Sequence, residues 1–241
     1  MGTSAYSDVR PSPIAGSWYP GNAAELRAVV ESFLERAAAP ALSGEILALV
    51  VPHAGYIYSG FTAAHAFKAL IGSRFSRVIL LSPSHQYYRE PLLTSGHEAY
   101  ATPLGAIPVD REALNALGRL LQAASGPDIT PIRRDREHSL EIELPFLQTV
   151  LPEGFSLVPL MLVSQSVELI HALSDALARY MLPLPPEEKT LLVASSDLSH
   201  FYTEKQARQL DTRVLNALEE MDIDKLYVLN ASGKGQACGM A

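Results

Sequence analysis

Three histidines occupy corresponding places in the sequence. His53 follows the apolar run LALVVP, His85 follows VILLSPS, and His200 follows LLVASSDLS. Short apolar runs of this kind predict buried strands, and ligands of open α/β sheets bind beyond the carboxyl ends of the strands. A single loop histidine is more often a hydrogen-bonded structural group, but three at equivalent strand ends favour a shared pocket. Imidazole is both a common metal ligand and an acid/base near neutral pH.

The only cysteine, Cys238, lies in the segment GKGQACGMA. Its thiolate would add an anionic ligand to two imidazoles, a set with open positions that suits Fe(II), and soft sulfur also accepts Cu(I) or Zn(II). The alternative is that Cys238 is an inert, small apolar residue. The glycines on both sides of it favour a backbone that approaches a ligand closely.

Two further side chains have both a functional and a structural interpretation. Asp197 lies three residues before His200, the spacing of one helical turn, so it could face the same pocket and orient that imidazole. It could equally cap a helix that begins there. Tyr56, in PHAGYIYSG, would place a phenol either in the pocket or in the hydrophobic core.

The elements that must position these residues alternate between strands and helices. Strands are predicted in EILALVV, RVILLSP, FSLVPLMLV and KTLLVASS. Helices are predicted after Asn22, over about Gly60 to Ile71, in LPFLQTVLP, in SVELIHALSDALARYML and over about Lys205 to Glu220. Such alternation predicts an α/β fold, a mainly parallel central sheet flanked by helices. With no linker or repeat in view, residues 1–241 are expected to form a single domain.

The composition restricts the class of protein. Of the 241 residues, 48% are hydrophobic and only 19% are charged, which is compatible with a compact body and a homo-oligomer interface. The net charge of −7 argues against nucleic acid or an anionic membrane as partner, because phosphates require a basic surplus. A lone cysteine, no signal peptide and no long apolar run indicate a cytoplasmic protein.

Six segments, in this order, resemble the Memo family, which includes protein B of the AmmeMemoRadiSam system. They are RPSPIAGSWYPG, VPHAGYIYSG, LLSPSHQ, EHSLEIELPFLQ, ASSDLSHF and QACG, and they extend from Arg10 to Gly239. The resemblance implies the fold of class III extradiol dioxygenases, to which the family is similar. Family members usually continue for several tens of residues beyond this point, so the chain is expected to lack the usual C-terminal segment.

The resemblance also implies roles for particular residues. The extradiol enzymes hold non-haem Fe(II) with two histidines and a glutamate, and a further histidine is the acid/base. By resemblance, His53 and His85 are the histidine ligands and Cys238 replaces the carboxylate. His200 is then the acid/base with Asp197 beside it, and His138 and Glu141 line the same cleft.

Three functions follow from this resemblance. The first is a Memo-like, metal-competent and redox-active pocket, because family members are associated with iron or copper and with redox chemistry. The second is an Fe(II) dioxygenase acting on an aromatic diol, although a thiolate in place of the carboxylate changes the preference of the metal. The third is a non-catalytic module that binds a peptide, since animal members bind phosphotyrosine peptides. Whether the chain catalyses a reaction, and on which small molecule or peptide, stays open.

Overall fold

A computed structural model describes residues 6–185 and 188–239 of the chain. The strands are β1 (Val9–Arg10), β2 (Ala48–Val51), β3 (Arg77–Pro83), β4 (Leu92–Ser95), β5 (Ala99–Thr102), β6 (Gly105–Pro108), β7 (Thr130–Ile132), β8 (Ser156–Leu162) and β9 (Thr190–Ser195). The α-helices are α1 (Ala23–Arg36), α2 (Phe61–Lys68), α3 (Arg111–Ala123), α4 (Leu144–Val150), α5 (Val167–Met181), α6 (Glu204–Glu219) and α7 (Ile223–Ala231). A π-helical turn (Tyr56–Gly60) precedes α2, and a 3-10 turn (Glu141–Glu143) precedes α4.

The central sheet has six strands in the order β2-β9-β3-β8-β4-β7. The first four run parallel, while β4 is antiparallel to β8 and parallel to β7. Val51 pairs with Ser195, and Pro83 pairs with Leu162. The carboxyl ends of β2, β9, β3 and β8 therefore meet at one edge, which confirms the predicted mainly parallel sheet.

Helices cover both faces of this sheet. The chain passes from β2 through α2 to β3 in one direction across the sheet, and from β8 through α5 to β9 in the opposite direction. Because such crossovers are right-handed, α2 and α5 lie on opposite faces. On the α2 side, α1 and α4 join α2, and the rings of Phe67 and Phe146 stack with centroids 5.0 Å apart. On the other side α3 packs against α5.

The sequence predicted the four parallel strands and the five helices within a few residues of their observed bounds. It gave no prediction for β1, for β4 to β7, or for α3 and α7. The prediction that one helical turn joins Asp197 to His200 is wrong, because residues 196–203 form no helix. Helix α6 begins only at Glu204, and Thr203 caps it. None of the helices in the described part of the chain is long and apolar enough to cross a membrane.

Arg10 fastens the N-terminal segment to the body of the protein. It ends β1, which pairs with the β5–β6 hairpin. Its guanidinium is buried, donates to Asp135 at 2.8 and 2.5 Å and to Glu141 Oε2 at 2.5 Å, and lies 4.8 Å from the centre of the Tyr100 ring. It also donates to the carbonyl oxygen of Glu137 at 2.9 Å. Removing this cation would leave two buried carboxylates without their partner.

We expect Arg10→Ala to lower the free energy of unfolding by about 3–5 kcal/mol, because breaking a buried ion pair leaves uncompensated charge in the interior. Urea denaturation measures the loss. Arg74→Ala is the control, since Arg74 pairs with Glu153 on the surface with both side chains more than half exposed. Its loss should stay below about 1 kcal/mol. Equal losses for the two variants would contradict this account.

Candidate metal centre

His53 is placed by β2, which ends two residues before it. The imidazole is 1% exposed, and its Nδ1 lies 2.9 Å from Ser195 Oγ. Burial lowers the pKa of His53 to about 4, against the attraction of the Asp197 carboxylate, so the ring is neutral at pH 7. Its Nε2 is buried and has no hydrogen-bond partner among the described residues. An unpaired buried nitrogen of this kind calls for an explanation.

His85 is placed in the same way by β3, which ends at Pro83. Its Nδ1 lies 2.9 Å from Glu137 Oε1, and its backbone N–H donates to Glu137 Oε2 at 2.5 Å. Burial of Glu137 opposes its ionisation, but these bonds and the N–H of Ser139 outweigh it and hold the pKa of Glu137 at about 2. A hydrogen bond to Cys238, followed by that to Glu137, raises the pKa of His85 to about 10. A carboxylate on one imidazole nitrogen fixes the ring, and a metal ion would have to displace the proton that this raised pKa keeps on the other nitrogen at pH 7.

Cys238 is held against the end of β9 by backbone contacts. Its N–H donates to the carbonyl oxygen of Asp197 at 2.9 Å, and its own carbonyl accepts from Gln165 Nε2 at 2.7 Å. The N–H of Gly239 donates to Ser196 Oγ at 2.8 Å. These bonds fix the half-buried thiol beside the two strand-end histidines.

The three side chains form one compact group. One ligand atom from each of His53, His85 and Cys238 lies within 4.8 Å of the others. The centroids of the two imidazole rings are 5.3 Å apart and the ring planes are inclined at 82°, so the rings are not stacked. Two imidazoles and a thiolate are ligands that transition metals accept, and Nε2 of His53 has no hydrogen-bond partner of its own among the described residues. The donor set therefore fits a metal ion.

The wall beside this group consists of His138 and Trp18. The His138 ring is 4.5 Å from that of His85 and 5.6 Å from that of His53, and it packs on Trp18 at 4.1 Å. Burial, reinforced by His85, lowers the pKa of His138 although Glu137 opposes this. A second group of possible ligands is His85, Glu137 and His138. We assign Glu137 an orienting role instead, because both its oxygens already accept hydrogen bonds.

The chain matches the family model described as Memo-like protein over residues 10–241. The chain belongs to the Memo family. A MEMO1 family protein of Nitrosopumilus maritimus is 31% identical over 235 residues, which cover 96% of this chain and 83% of the relative. One from Archaeoglobus fulgidus is 33% identical over 95% of this chain and 84% of the relative. One from Thermotoga maritima is 33% identical over 90% of this chain and 80% of the relative.

His200 and Asp197 are arranged differently in this Memo family member from what the sequence suggested. His200 is exposed, and its Nδ1 donates to the carbonyl of Leu198 at 3.0 Å. Asp197 binds the His53 loop: its Oδ1 accepts from the N–H groups of His53 at 2.8 Å and Ala54 at 3.2 Å. Its Oδ2 lies 3.9 Å from His53 Nε2. Asp197 thus fixes the backbone of the His53 loop, and the acid/base role of His200, with Asp197 beside it, stays a prediction.

Tyr56 and Glu141 have partners in the protein interior. The hydroxyl of Tyr56 donates to the carbonyl of Ile142 at 3.0 Å, and its ring packs against Phe146, as the core interpretation expected. Glu141 accepts from Arg10 and from Tyr19 at 2.7 Å. Neither belongs to the groups of ligand atoms that the described residues bring together. That they line the cleft stays a prediction.

The site that the sequence predicted did not include four residues that the structure places there: Trp18, Glu137, Glu143 and Ser195. Trp18 lies in the first of the Memo motifs, and that position was its only signal. Glu143 and Ser195 are polar residues within apolar segments, at a 3-10 turn and at a strand end. A carboxylate in such a segment is a signal in itself, since glutamate is almost never fully buried without a partner.

We expect Asp197→Ala to lower the free energy of unfolding by about 1–3 kcal/mol, because two backbone N–H groups lose their acceptor. Asp197→Asn keeps an oxygen that can accept and should recover most of the loss. Urea denaturation of both variants tests this, with His200→Ala, on an exposed side chain, as the control expected to change stability by less than about 0.5 kcal/mol. If Asp197→Asn loses as much stability as Asp197→Ala, then the negative charge of Asp197, and not its capacity to accept hydrogen bonds, stabilises the protein.

Proposed function

We propose that this Memo family member holds a metal ion between His53, His85 and Cys238. The observation that carries the proposal is the buried Nε2 of His53, which has no hydrogen-bond partner among the described residues, on a residue that belongs to a group of three possible ligands. A buried nitrogen lone pair without a partner costs free energy unless something binds it. A metal ion is the partner that also satisfies an imidazole and a thiolate.

Fe(II) is the metal that we expect, with Cu(I) and Zn(II) as the other candidates. Two imidazoles and one anion with open positions are the ligand pattern of non-haem Fe(II), and the soft thiolate extends the choice to Cu(I) and Zn(II). Bound iron or copper would supply one-electron chemistry at an open position. A free thiol persists in a reducing compartment, so a cytoplasmic setting is part of the proposal.

His138 is the residue that we propose as acid/base beside the metal. Its lowered pKa keeps the imidazole neutral at pH 7, so it can accept a proton. Its ring is within 6 Å of both histidine ligands, at 4.5 and 5.6 Å. Trp18, packed on its face, orients the ring and gives the pocket an aromatic wall against which a small molecule or peptide side chain can lie.

The ligand assignment predicts how metal affinity responds to substitution. Calorimetry can follow an anaerobic titration of the protein with Fe(II). We expect His53→Ala, His85→Ala and Cys238→Ser each to weaken Fe(II) binding by about 100-fold or more. Even the loss of a residue that only orients a ligand weakens metal affinity by about 10- to 100-fold. Direct loss of a coordinating atom should exceed that effect.

The matched control is His171→Ala, because His171 is an exposed histidine of α5. Its affinity for Fe(II) should equal that of the parent. The assignment is wrong if His53→Ala and His85→Ala bind Fe(II) as tightly as the control.

A further inference from the structure

A buried polar cluster lies behind His53, and the proposed function does not account for it. Glu143, Ser139 and Ser195 are all less than 3% exposed. Glu143 is on the 3-10 turn before α4, and Ser195 ends β9. A glutamate at such a position is unfavourable unless its hydrogen bonds are complete.

Ser195 Oγ is the centre of this cluster and has three neighbours. It lies 2.6 Å from the carbonyl oxygen of Ser139, 2.9 Å from His53 Nδ1 and 3.0 Å from Glu143 Oε1. All three distances are those of hydrogen bonds. A hydroxyl has one proton to donate and two lone pairs that accept, so two of these neighbours must donate to it.

Counting protons decides which neighbours donate. A carbonyl oxygen can only accept, so the proton of Ser195 belongs to Ser139. The imidazole of His53 must then carry its proton on Nδ1, and Glu143 must be a neutral carboxylic acid whose O–H points at Ser195. Any other assignment places two acceptors face to face at one of these buried contacts.

The surroundings of Glu143 agree with this count. Burial raises the pKa of Glu143 well above its ordinary value, and the negative charge of Asp197 adds to the effect. A protonated glutamic acid is also the state that a site with the ionised Glu137 would tolerate best, because it adds no further negative charge.

We propose that Glu143 is a neutral, hydrogen-donating positioning residue that acts through Ser195 to keep His53 in the tautomer whose lone pair is on Nε2. The two histidines of the site are thus oriented differently, His85 by an ionised carboxylate and His53 by an uncharged hydroxyl–acid pair. The effect on metal affinity rests on the metal site proposed above, whereas the proton arrangement does not.

Two measurements on the metal-free protein test the arrangement directly. Nitrogen-15 NMR of histidine-labelled protein, with His53 assigned by His53→Gln, should show a proton on Nδ1 and a bare Nε2. An infrared difference spectrum between the parent and Glu143→Gln should show the C=O stretch of a protonated carboxylic acid. A His53 proton on Nε2, or a carboxylate band in place of the acid band, would overturn the proposal.

Metal affinity provides a second test, with Co(II) as the probe. Glu143→Gln replaces the acid O–H by an amide N–H that still donates, so the dissociation constant should change by less than about threefold. Ser195→Ala removes the acceptor of His53 Nδ1 and should weaken Co(II) binding by about 10-fold or more, as loss of an orienting partner does.

Ser82→Ala is the matched control, because Ser82 is a buried serine of the neighbouring strand whose Oγ has no partner in the described part of the chain. It should leave both the tautomer and the affinity unchanged. Equal weakening in Glu143→Gln and Ser195→Ala would contradict the neutral-donor role. If the parent protein itself does not bind Co(II), the proposed metal site is wrong. The NMR and infrared results still decide the proton arrangement in that case.

Discussion

Strand β9 lies between β2 and β3 and runs parallel to both, and the candidate site depends on this pairing. Parallel pairing forces the carboxyl ends of the three strands to one edge. His53 and His85, each two residues beyond its strand, therefore flank the end of β9. Ser195, the last residue of β9, then lies close enough to bind His53, and the following residues bind the segment that carries Cys238. An antiparallel β9 would place Ser195, and the residues that bind the Cys238 segment, at the opposite edge of the sheet.

The strand ends alone would leave the imidazoles free to rotate, and buried polar groups remove that freedom. Glu137 engages both the ring and the backbone of His85, and Arg10 in turn donates to the carbonyl of Glu137. The N-terminal segment is thereby connected to a ligand loop more than seventy residues away. Asp197 joins His53 and Cys238, the other two proposed ligands, since its side chain accepts from the His53 backbone and its carbonyl accepts from the N–H of Cys238. The protein therefore determines the geometry of the three proposed ligands through its own hydrogen bonds.

The sequence predicted the part of the site that depends on local pattern. An apolar run that ends in a histidine is visible without a structure, so His53 and His85 were found from their strands. The chemistry of Cys238 and its flanking glycines made it one possible ligand, and the Memo resemblance favoured that interpretation over an inert, small apolar residue. The spacing of Asp197 and His200 suggested a helical turn, but Asp197 accepts hydrogen bonds from residues 53 and 54, a contact across the sheet that periodicity cannot indicate. Trp18 and Glu143 were missed for the same reason, since their partners are far away along the chain.

The central claim is that two imidazoles and the Cys238 thiolate bind one ion. X-ray absorption of the protein loaded with one equivalent of Zn(II) measures this directly, because sulfur and nitrogen scatter at different distances. The account predicts one sulfur at about 2.3 Å and two imidazole nitrogens at about 2.0–2.1 Å from the metal, with the sulfur lost in Cys238→Ser. A shell of nitrogen and oxygen alone in the parent protein would contradict it.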